Sequence, residues 1–419
     1  MTYKVKDIKL APRGKLMIDW AERHMPVLAE IRRELSKKKP LKGMRVGAAL
    51  HTEAKTAVLV RTLVAAGAKV AITSCNPLST RDEVAAALAK EGVEVYAWRG
   101  ETSREYYANL NHVLDIKPDV LVDDGADLIS LVHSKRTELL KRVQGASEET
   151  TTGVNRLRMM AADGALKFPV MAVNDSPTKR FFDNRFGTAE SAFQAIMGIT
   201  NTLIAGKNIV VVGYGFVGRG IASRAKGLGA IVTVVETDPI KALEATMDGF
   251  RVAGMAKAAL VGDIFVTTTG NLKVIREEHM RAMKDGAILC NAGHFNVEID
   301  IPALSKLAVK RCEVLEDVEE FQLKKGKRLF LLAEGRLVNL AGKRSLGHPM
   351  EIMDMSFALQ TLSVKYIAKH GGELEPKVYE VPAEIDRKVA ELKLKSVGVE
   401  LEKPTKEQLE YLRSWRAGT

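Results

Sequence analysis

Asn208-Ile-Val-Val-Val-Gly213-Tyr-Gly215-Phe-Val-Gly218 is the stretch that decides the fold. A run of β-branched residues enters three glycines at GxGxxG spacing, and residues 220–227 then carry helical periodicity. The first glycine permits a tight turn after a strand, the second lets backbone approach a pyrophosphate, and the third lets helix pack closely on strand. Alone, such spacing is weak and fits an ordinary strand-to-helix turn. Here the next strand, 231–235, ends at Glu236, about 20 residues after the first glycine, where an acid hydrogen-bonds an adenosine ribose. A carboxylate there repels a 2′-phosphate. The reading is an NAD-binding Rossmann unit over 207–236.

Outward from this unit the alternation continues. Strands are expected at 264–267 and 287–290 beside 208–212 and 231–235, and an earlier series at 44–48, 69–73, 93–97, 120–122 and 170–173. Alanine-rich stretches such as 56–66 and 81–90 carry helical periodicity between the early strands. The fold class is therefore α/β, with two doubly wound parallel-sheet domains. Between them 174–187, rich in Asp, Asn, Pro and Gly, reads as a hinge, followed by a helix over 189–205. A long helix over 350–368 closes at His370-Gly371-Gly372, and chain order points to its return to the first domain. Thr405 with Gln408 forms a capping box, so a helical segment is expected at the C-terminus.

At ~100 to 200 residues per domain, 419 residues suffice for two or three domains, and 46% hydrophobic with 27% charged is an ordinary globular balance. No apolar run approaches the ~20 residues of a membrane span, and Lys4, Lys6, Asp7 and Lys9 stand where a signal peptide needs apolar residues. A cytoplasmic protein without a membrane partner is expected. Cys75, Cys290 and Cys312 lack CxxC spacing, which argues for reduced thiols. The net charge of +11 invites a nucleic-acid reading, but the basic clusters at 37–39, 324–328 and 343–344 are short and scattered, with no RNA-binding or zinc-finger signature. No nucleic-acid partner is expected.

The polar cargo lies elsewhere. Ser147-Glu-Glu149-Thr150-Thr151-Thr152-Gly153 has too many adjacent polar residues for a core strand and reads as a ligand loop, or equally as a helix cap or solvated turn. Asn174, Asp175, Ser176, Lys179, Asp183 and Asn184 set a lysine among carboxylates, which is acid–base equipment if buried and a charged surface loop if not. His51, and Asp123 with Asp124, follow strands at the ends where open α/β sheets hold ligands; a structural histidine and helix-capping aspartates are the blander readings. His294 and His348 have no second ligand at metal spacing along the chain, so no metal site is expected.

Taken in order, these segments resemble the S-adenosylhomocysteine hydrolase family from Tyr3 to about Leu412. The stretches that carry the resemblance include 147–153, Val173-Asn-Asp-Ser176, Phe182-Asp-Asn184, Val266-Thr-Thr-Thr-Gly270, Asn291 to Phe295, Leu332-Ala-Glu-Gly-Arg-Leu-Val-Asn-Leu340 and Gly347-His-Pro349. The resemblance implies a substrate-binding domain from 1–184 and 350–384, an NAD domain over 185–349, a C-terminal segment over 385–419, and a homotetramer with a small-molecule substrate. It also implies the reaction. Oxidation of a 3′-hydroxyl by NAD acidifies C4′, homocysteine leaves from C5′, water adds, and the ketone is reduced again. Glu149 and Asp183 would hold the ribose hydroxyls, Lys179 would take the 3′-hydroxyl proton, and Asn184 would bridge substrate and nicotinamide. His51, Asp124 and His294 would surround C4′ and C5′, and the C4′ proton falls to Lys179 or Asp124. Thr150, Thr151, Thr152, Gly213, Gly215, Phe216, Val217, Gly218, Glu236, Thr269, Asn271, Ala292, Gly293, Asn339 and His348 would make the cofactor site. Glu53, Lys55, Thr56, Leu340, Leu346, Gly347, Met353 and Phe357 would face the substrate.

The chain departs from the family pattern at the base. Many members carry His-Met-Thr-x-Glu-Thr, whose Thr and Glu contact adenine, where this chain has His51-Thr-Glu53-Ala-Lys55-Thr56. A lysine facing O6 and a glutamate facing N1–H suit hypoxanthine, so S-inosylhomocysteine is an alternative substrate. The loop 339–348, with Lys343 and Arg344, is longer than usual, and Thr188 replaces a cysteine common near the cofactor. The chain ends Arg416-Ala417-Gly418-Thr419 without the Lys- and Tyr-bearing tail that relatives extend into a neighbouring NAD site, which implies freer cofactor exchange. The competing readings are a catalytically silent binding protein and an ordinary dehydrogenase that releases NADH. Intact catalytic positions argue against the first, and steady NADH build-up would mark the second.

Overall fold

The computed structural model describes residues 3–416, so the last three residues of the tail reading lie outside the described residues. Two eight-stranded sheets form the molecule. The first is parallel throughout, in the order Lys4–Val5, Glu94–Ala97, Lys69–Thr73, Arg45–Ala49, Val120–Asp123, Gly145–Glu148, Val170–Ala172, Val378–Glu380. Val46, Ala48, Val120 and Val122 are buried, as strands covered on both faces by helices require. The order in which strands are added reverses between Arg45–Ala49 and Val120–Asp123, and at such a switch point the strand C-termini open a crevice. His51 and Asp124 leave the sheet there.

In the second sheet Arg251–Val252, Ile231–Val235, Asn208–Val212, Ile264–Thr267, Ala287–Asn291 and Arg328–Leu332 run parallel. Its switch point lies between Asn208–Val212 and Ile264–Thr267, where Gly213 and Thr268 emerge. Two further strands, Val318–Leu323 and Ala308–Leu315, extend this sheet antiparallel at one edge. The parallel-sheet reading holds for the other six strands, and the antiparallel edge pair was not among the expected strands. The outermost strand exposes Lys310, Arg311 and Glu313, charges that discourage edge-to-edge association.

Four other expectations change. Gly145–Glu148, read in part as a polar loop, is a central strand whose Ser147 and Glu148 are fully buried. The Glu148 carboxyl oxygens are satisfied there by the backbone N–H groups of Gly125 (2.8 Å), Ala126 (3.0 Å) and Thr150 (3.0 Å), while burial beside Asp123 and Asp124 pushes its pKa well up. The hinge at 174–187 is helical instead: the turn Pro177–Lys179 runs into a π-helix, Arg180–Gly187, and on into Thr188–Thr200. That last helix stops at Asn201, in the left-handed conformation (φ 49°), short of the expected 205. The Rossmann helix starts earlier than expected, at Phe216.

The long helix Met350–His370 returns the chain to the first sheet, with most of its length buried against that layer. Its Asp354 carboxylate accepts Val27 and Leu28 N–H at the start of helix Pro26–Lys38, while the Lys393 ammonium stands 3.2 Å away. Val378–Glu380 then pairs with Val170–Ala172. The Thr405–Gln408 capping box is present ahead of helix Lys406–Arg413. Among the described residues no helix is long and apolar enough to cross a membrane.

Candidate active site

The strand ends of both sheets face one cleft of about 1030 Å³. On the second-sheet side the glycines behave as their spacing predicts. Gly213 turns at φ +103°, and a Cβ on Gly218 would lie 2.0 Å from the Gly213 carbonyl oxygen. Gly215 faces open space, the room a pyrophosphate needs at the start of helix Phe216–Gly227. The Glu236 carboxylate accepts N–H groups from Tyr214 (2.7 Å), Thr237 (2.6 Å) and Asp238 (3.0 Å). Burial pushes its pKa up, but these donors outweigh burial and hold it below the usual glutamate value. A fixed anion at this wall accepts ribose hydroxyls, so the residues fit NAD. Phe216, Val217, Thr269, Asn271, Ala292, Gly293 and His294 also line this half.

One residue that the sequence reading missed braces it. Buried Glu298 accepts Thr269 N–H (2.8 Å), Thr269 O–H (2.7 Å) and Gly270 N–H (2.9 Å), and sits where a Cβ on Gly293 would be. Two expected cofactor residues lie behind the wall rather than on it. Gly218 acts through helix packing, and Asn339 is fully buried, its Nδ2 donating to Ser191 Oγ at 3.0 Å.

The first-sheet side carries the acid–base equipment. Lys179 Nζ lies 2.8 Å from Asn184 Oδ1, 3.0 Å from Asp183 Oδ1 and 3.8 Å from Glu149 Oε1. The π-turn after Lys179 allows Asp183 and Asn184 to meet it together. Burial lowers the lysine pKa, but Asp183 and Glu149 outweigh it and raise the net value. Asp183, opposed by burial, is held well below the carboxylate range by Lys179 and His348, whose Nδ1 is 3.0 Å away. Burial pushes Glu149 up to about 7 against the pull of Lys179. Ser356 Oγ (2.8 Å) and Gln360 Nε2 (2.6 Å) donate to Glu149 from the long helix. Neither was expected; the signal was a row of polar residues in an otherwise apolar, buried helix. Thr150, Thr151 and Thr152 line the cleft between the two halves.

Across the cleft His51 Nε2 stands 3.4 Å from Asp124 Oδ2, and His294 Nδ1 stands 3.5 Å from Asp124 Oδ1. His294 arrives from the second sheet, and it fits because Gly125 (φ +110°) has no side chain: a Cβ there would lie 2.4 Å from His294 Nε2. The ligand atoms of His51, Asp124 and His294 all lie within 4.8 Å of one another, a grouping that could hold a metal ion. The sequence reading found no metal spacing because these groups come from three separate segments.

At the base end Glu53 caps helix Ala54–Ala65, accepting Lys55 and Thr56 N–H. Lys55 Nζ lies 2.8 Å from Glu53 Oε2 and donates to the Leu346 carbonyl at 2.7 Å. Thr56, Leu340, Met353 and Phe357 line the same end. The Leu346 side chain is 71% exposed, so its part here is its carbonyl. Gly347 (φ +71°) lies behind it, close to Lys55 Nζ and off the wall. Lys343 and Arg344 point away, toward Glu316 at 2.9 Å and 3.7 Å, so the long loop puts no cation on the base. Thr188 Oγ1 lies 3.2 Å from His348 Nε2.

Comparison with known proteins decides what this cleft belongs to. The family model for S-adenosyl-L-homocysteine hydrolase matches residues 2–139, and the model for the NAD binding domain of the same enzyme matches 184–345. The chain belongs to the S-adenosyl-L-homocysteine hydrolase family. It is an NAD-dependent hydrolase, and its second sheet is the family's NAD-binding domain. An adenosylhomocysteinase of Pyrococcus abyssi is 60% identical over 417 residues, covering 100% of this chain and 98% of the relative. An S-inosyl-L-homocysteine hydrolase of Methanopyrus kandleri is also 60% identical, over 422 residues with the same coverage. One from Methanocaldococcus jannaschii is 58% identical over 417 residues, covering both chains in full. Whole-chain identity to the hydrolase family therefore does not choose the base.

Proposed function

We propose that the chain reversibly hydrolyses S-adenosyl-L-homocysteine to adenosine and L-homocysteine. The carrying observation is that Lys179, within 3.8 Å of Glu149, Asp183 and Asn184, shares one cleft with the His51–Asp124–His294 group. Bound NAD supplies a reversible oxidation at C3′. Glu149 and Asp183 accept the ribose hydroxyls and so orient C3′ toward the cofactor half. Lys179 takes the 3′-hydroxyl proton and returns it when the ketone is reduced. Asp124, flanked by two imidazoles, handles protons at the C4′–C5′ end, where the thioether breaks and water adds. Residues 1–184 with 350–384 form the substrate-binding domain, 185–349 the NAD domain and 385–419 a C-terminal segment, in a cytoplasmic homotetramer. Light scattering measures that assembly. Release of free homocysteine thiol without net NADH tests the activity; steady NADH accumulation would instead make the protein a dehydrogenase.

Glu149 also gives a pH dependence. Its pKa is raised to about 7, so its carboxylate form, the acceptor of ribose hydroxyls, grows as pH rises through about 7. KM for the nucleoside is expected to fall across that range, and Glu149→Gln should flatten the profile. A rising limb that survives in the variant counts against the assignment.

S-inosyl-L-homocysteine is a second reading, favoured by Lys55. Both Glu53 oxygens are engaged by Lys55 and Thr56, whereas the Lys55 ammonium has a third N–H beyond its two partners. Hypoxanthine O6 accepts that hydrogen, and the N6 amine of adenine does not. The double variant Glu53→Thr, Lys55→Glu restores the family pattern and keeps a capping residue at 53. It is expected to shift the adenosyl-to-inosyl ratio of kcat/KM by about 10- to 100-fold toward adenosyl, the worth of a charged hydrogen bond. An unchanged ratio removes Lys55 from base selection.

A further inference from the structure

Hydroxyls back His51 on the side away from Asp124. Ser79 Oγ lies 2.6 Å from His51 Nδ1, 3.1 Å from Ser74 Oγ and 3.2 Å from the Asn76 carbonyl. Both serines are buried, and Ser79 does not line the cleft. The protons can be assigned by counting acceptors. The Asn76 carbonyl already accepts Ser74 O–H at 2.9 Å and Ser79 N–H at 3.2 Å, which fills its two lone pairs. The open acceptor for the Ser79 hydroxyl, and the shortest, is then His51 Nδ1. A neutral imidazole has one donor and one acceptor, and an Nδ1 that accepts the Ser79 hydroxyl leaves His51 neutral. With Nδ1 accepting, Nε2 carries the hydrogen and directs it at Asp124 Oδ2, 3.4 Å away. The other tautomer would set a lone pair of His51 against the carboxylate.

We propose that Ser79, backed by Ser74, is a positioning residue that fixes His51 as the Nε2–H tautomer, so that His51 donates to Asp124. The inference rests on the proposed thioether hydrolysis, in which Asp124 serves the C4′–C5′ end while Lys179 serves C3′. That division supplies the test. In Ser79→Ala holoenzyme, hydrolysis of S-adenosyl-L-homocysteine is expected to fall about 10- to 100-fold in kcat with little change in KM, as for other residues that orient a functional imidazole. The rate at which adenosine reduces the bound cofactor, read from the near-ultraviolet absorbance of the reduced nicotinamide, should stay at the wild-type value. Ser79→Thr keeps a hydroxyl and should restore hydrolysis. Ser74→Ala frees the Asn76 carbonyl to take the Ser79 proton and should give a smaller loss in the same direction, which keeps the test open if Ser79→Ala folds poorly. Wild-type hydrolysis in both Ala variants, or parallel loss of cofactor reduction and hydrolysis, overturns the proposal. Failure of the wild-type protein to release thiol is a different result, and would overturn the proposed function instead.

Discussion

Lys179→Arg is expected to lower kcat for thioether hydrolysis by about 10²- to 10⁴-fold, the usual contribution of a positioned proton-transfer group. Arginine keeps the cation that Asp183 and Glu149 require, so neither carboxylate is left buried and unpaired. It removes the ability to give up a proton, because a guanidinium does not titrate in proteins. In the resting site Lys179 is an ammonium, its pKa raised by Asp183 and Glu149 despite burial, so it is poised as the acid that reprotonates the ketone. To act as base it must first shed a proton, and the rate should therefore rise with pH in the wild type. The arginine variant should lose this limb, together with adenosine-driven reduction of the bound cofactor, while retaining NAD content and melting temperature. A variant within a few-fold of wild type in kcat would remove Lys179 from proton transfer. Loss of bound NAD would show a structural lysine instead.

Lys179 also shows what the sequence could and could not convey. Its spacing to Asp183 and Asn184 was visible along the chain, yet turn-forming residues around it read as a loop, and only burial turns such a loop into a helix with a π-turn. The Rossmann unit was legible because each glycine answers a local backbone demand at fixed spacing. Glu148 was misread for the opposite reason: its burial is compensated by N–H groups of Gly125, Ala126 and Thr150, two of them more than twenty positions away in sequence. Glu298 and Ser79 likewise act through partners that are distant in the chain, so composition and periodicity gave no reason to choose them, whereas Gln360 carried only the signal of a polar residue in an apolar, buried helix. The antiparallel edge was hidden by its charges, which suit a solvated edge strand as well as a surface loop.

Gly218→Ala is expected to abolish tight NAD binding, and its comparison with Gly215→Ala separates packing from cofactor contact. A Cβ at 218 would stand 2.0 Å from the Gly213 carbonyl oxygen and 2.8 Å from its carbon, both backbone atoms of the turn that receives the pyrophosphate. Neither atom can swing aside as a flexible side chain would. The helix must back away from the strand, at about 1–3 kcal/mol for overpacking, and its N–H groups retreat from the phosphates. Gly215 differs on both counts: its φ is −76°, which any residue adopts, and a Cβ there meets nothing within 4 Å. Its methyl group would enter only the space left for the pyrophosphate. Gly218→Ala should therefore lower the melting temperature of the cofactor-free protein and raise the Kd for NAD by about 10- to 100-fold or more, at ~1.4 kcal/mol per decade. Gly215→Ala should raise the Kd while leaving the cofactor-free melting temperature unchanged. Calorimetric titration with NAD and thermal melts of the cofactor-free variants read both quantities. Equal behaviour of the two variants would mean that the turn is held by something other than close approach of helix to strand.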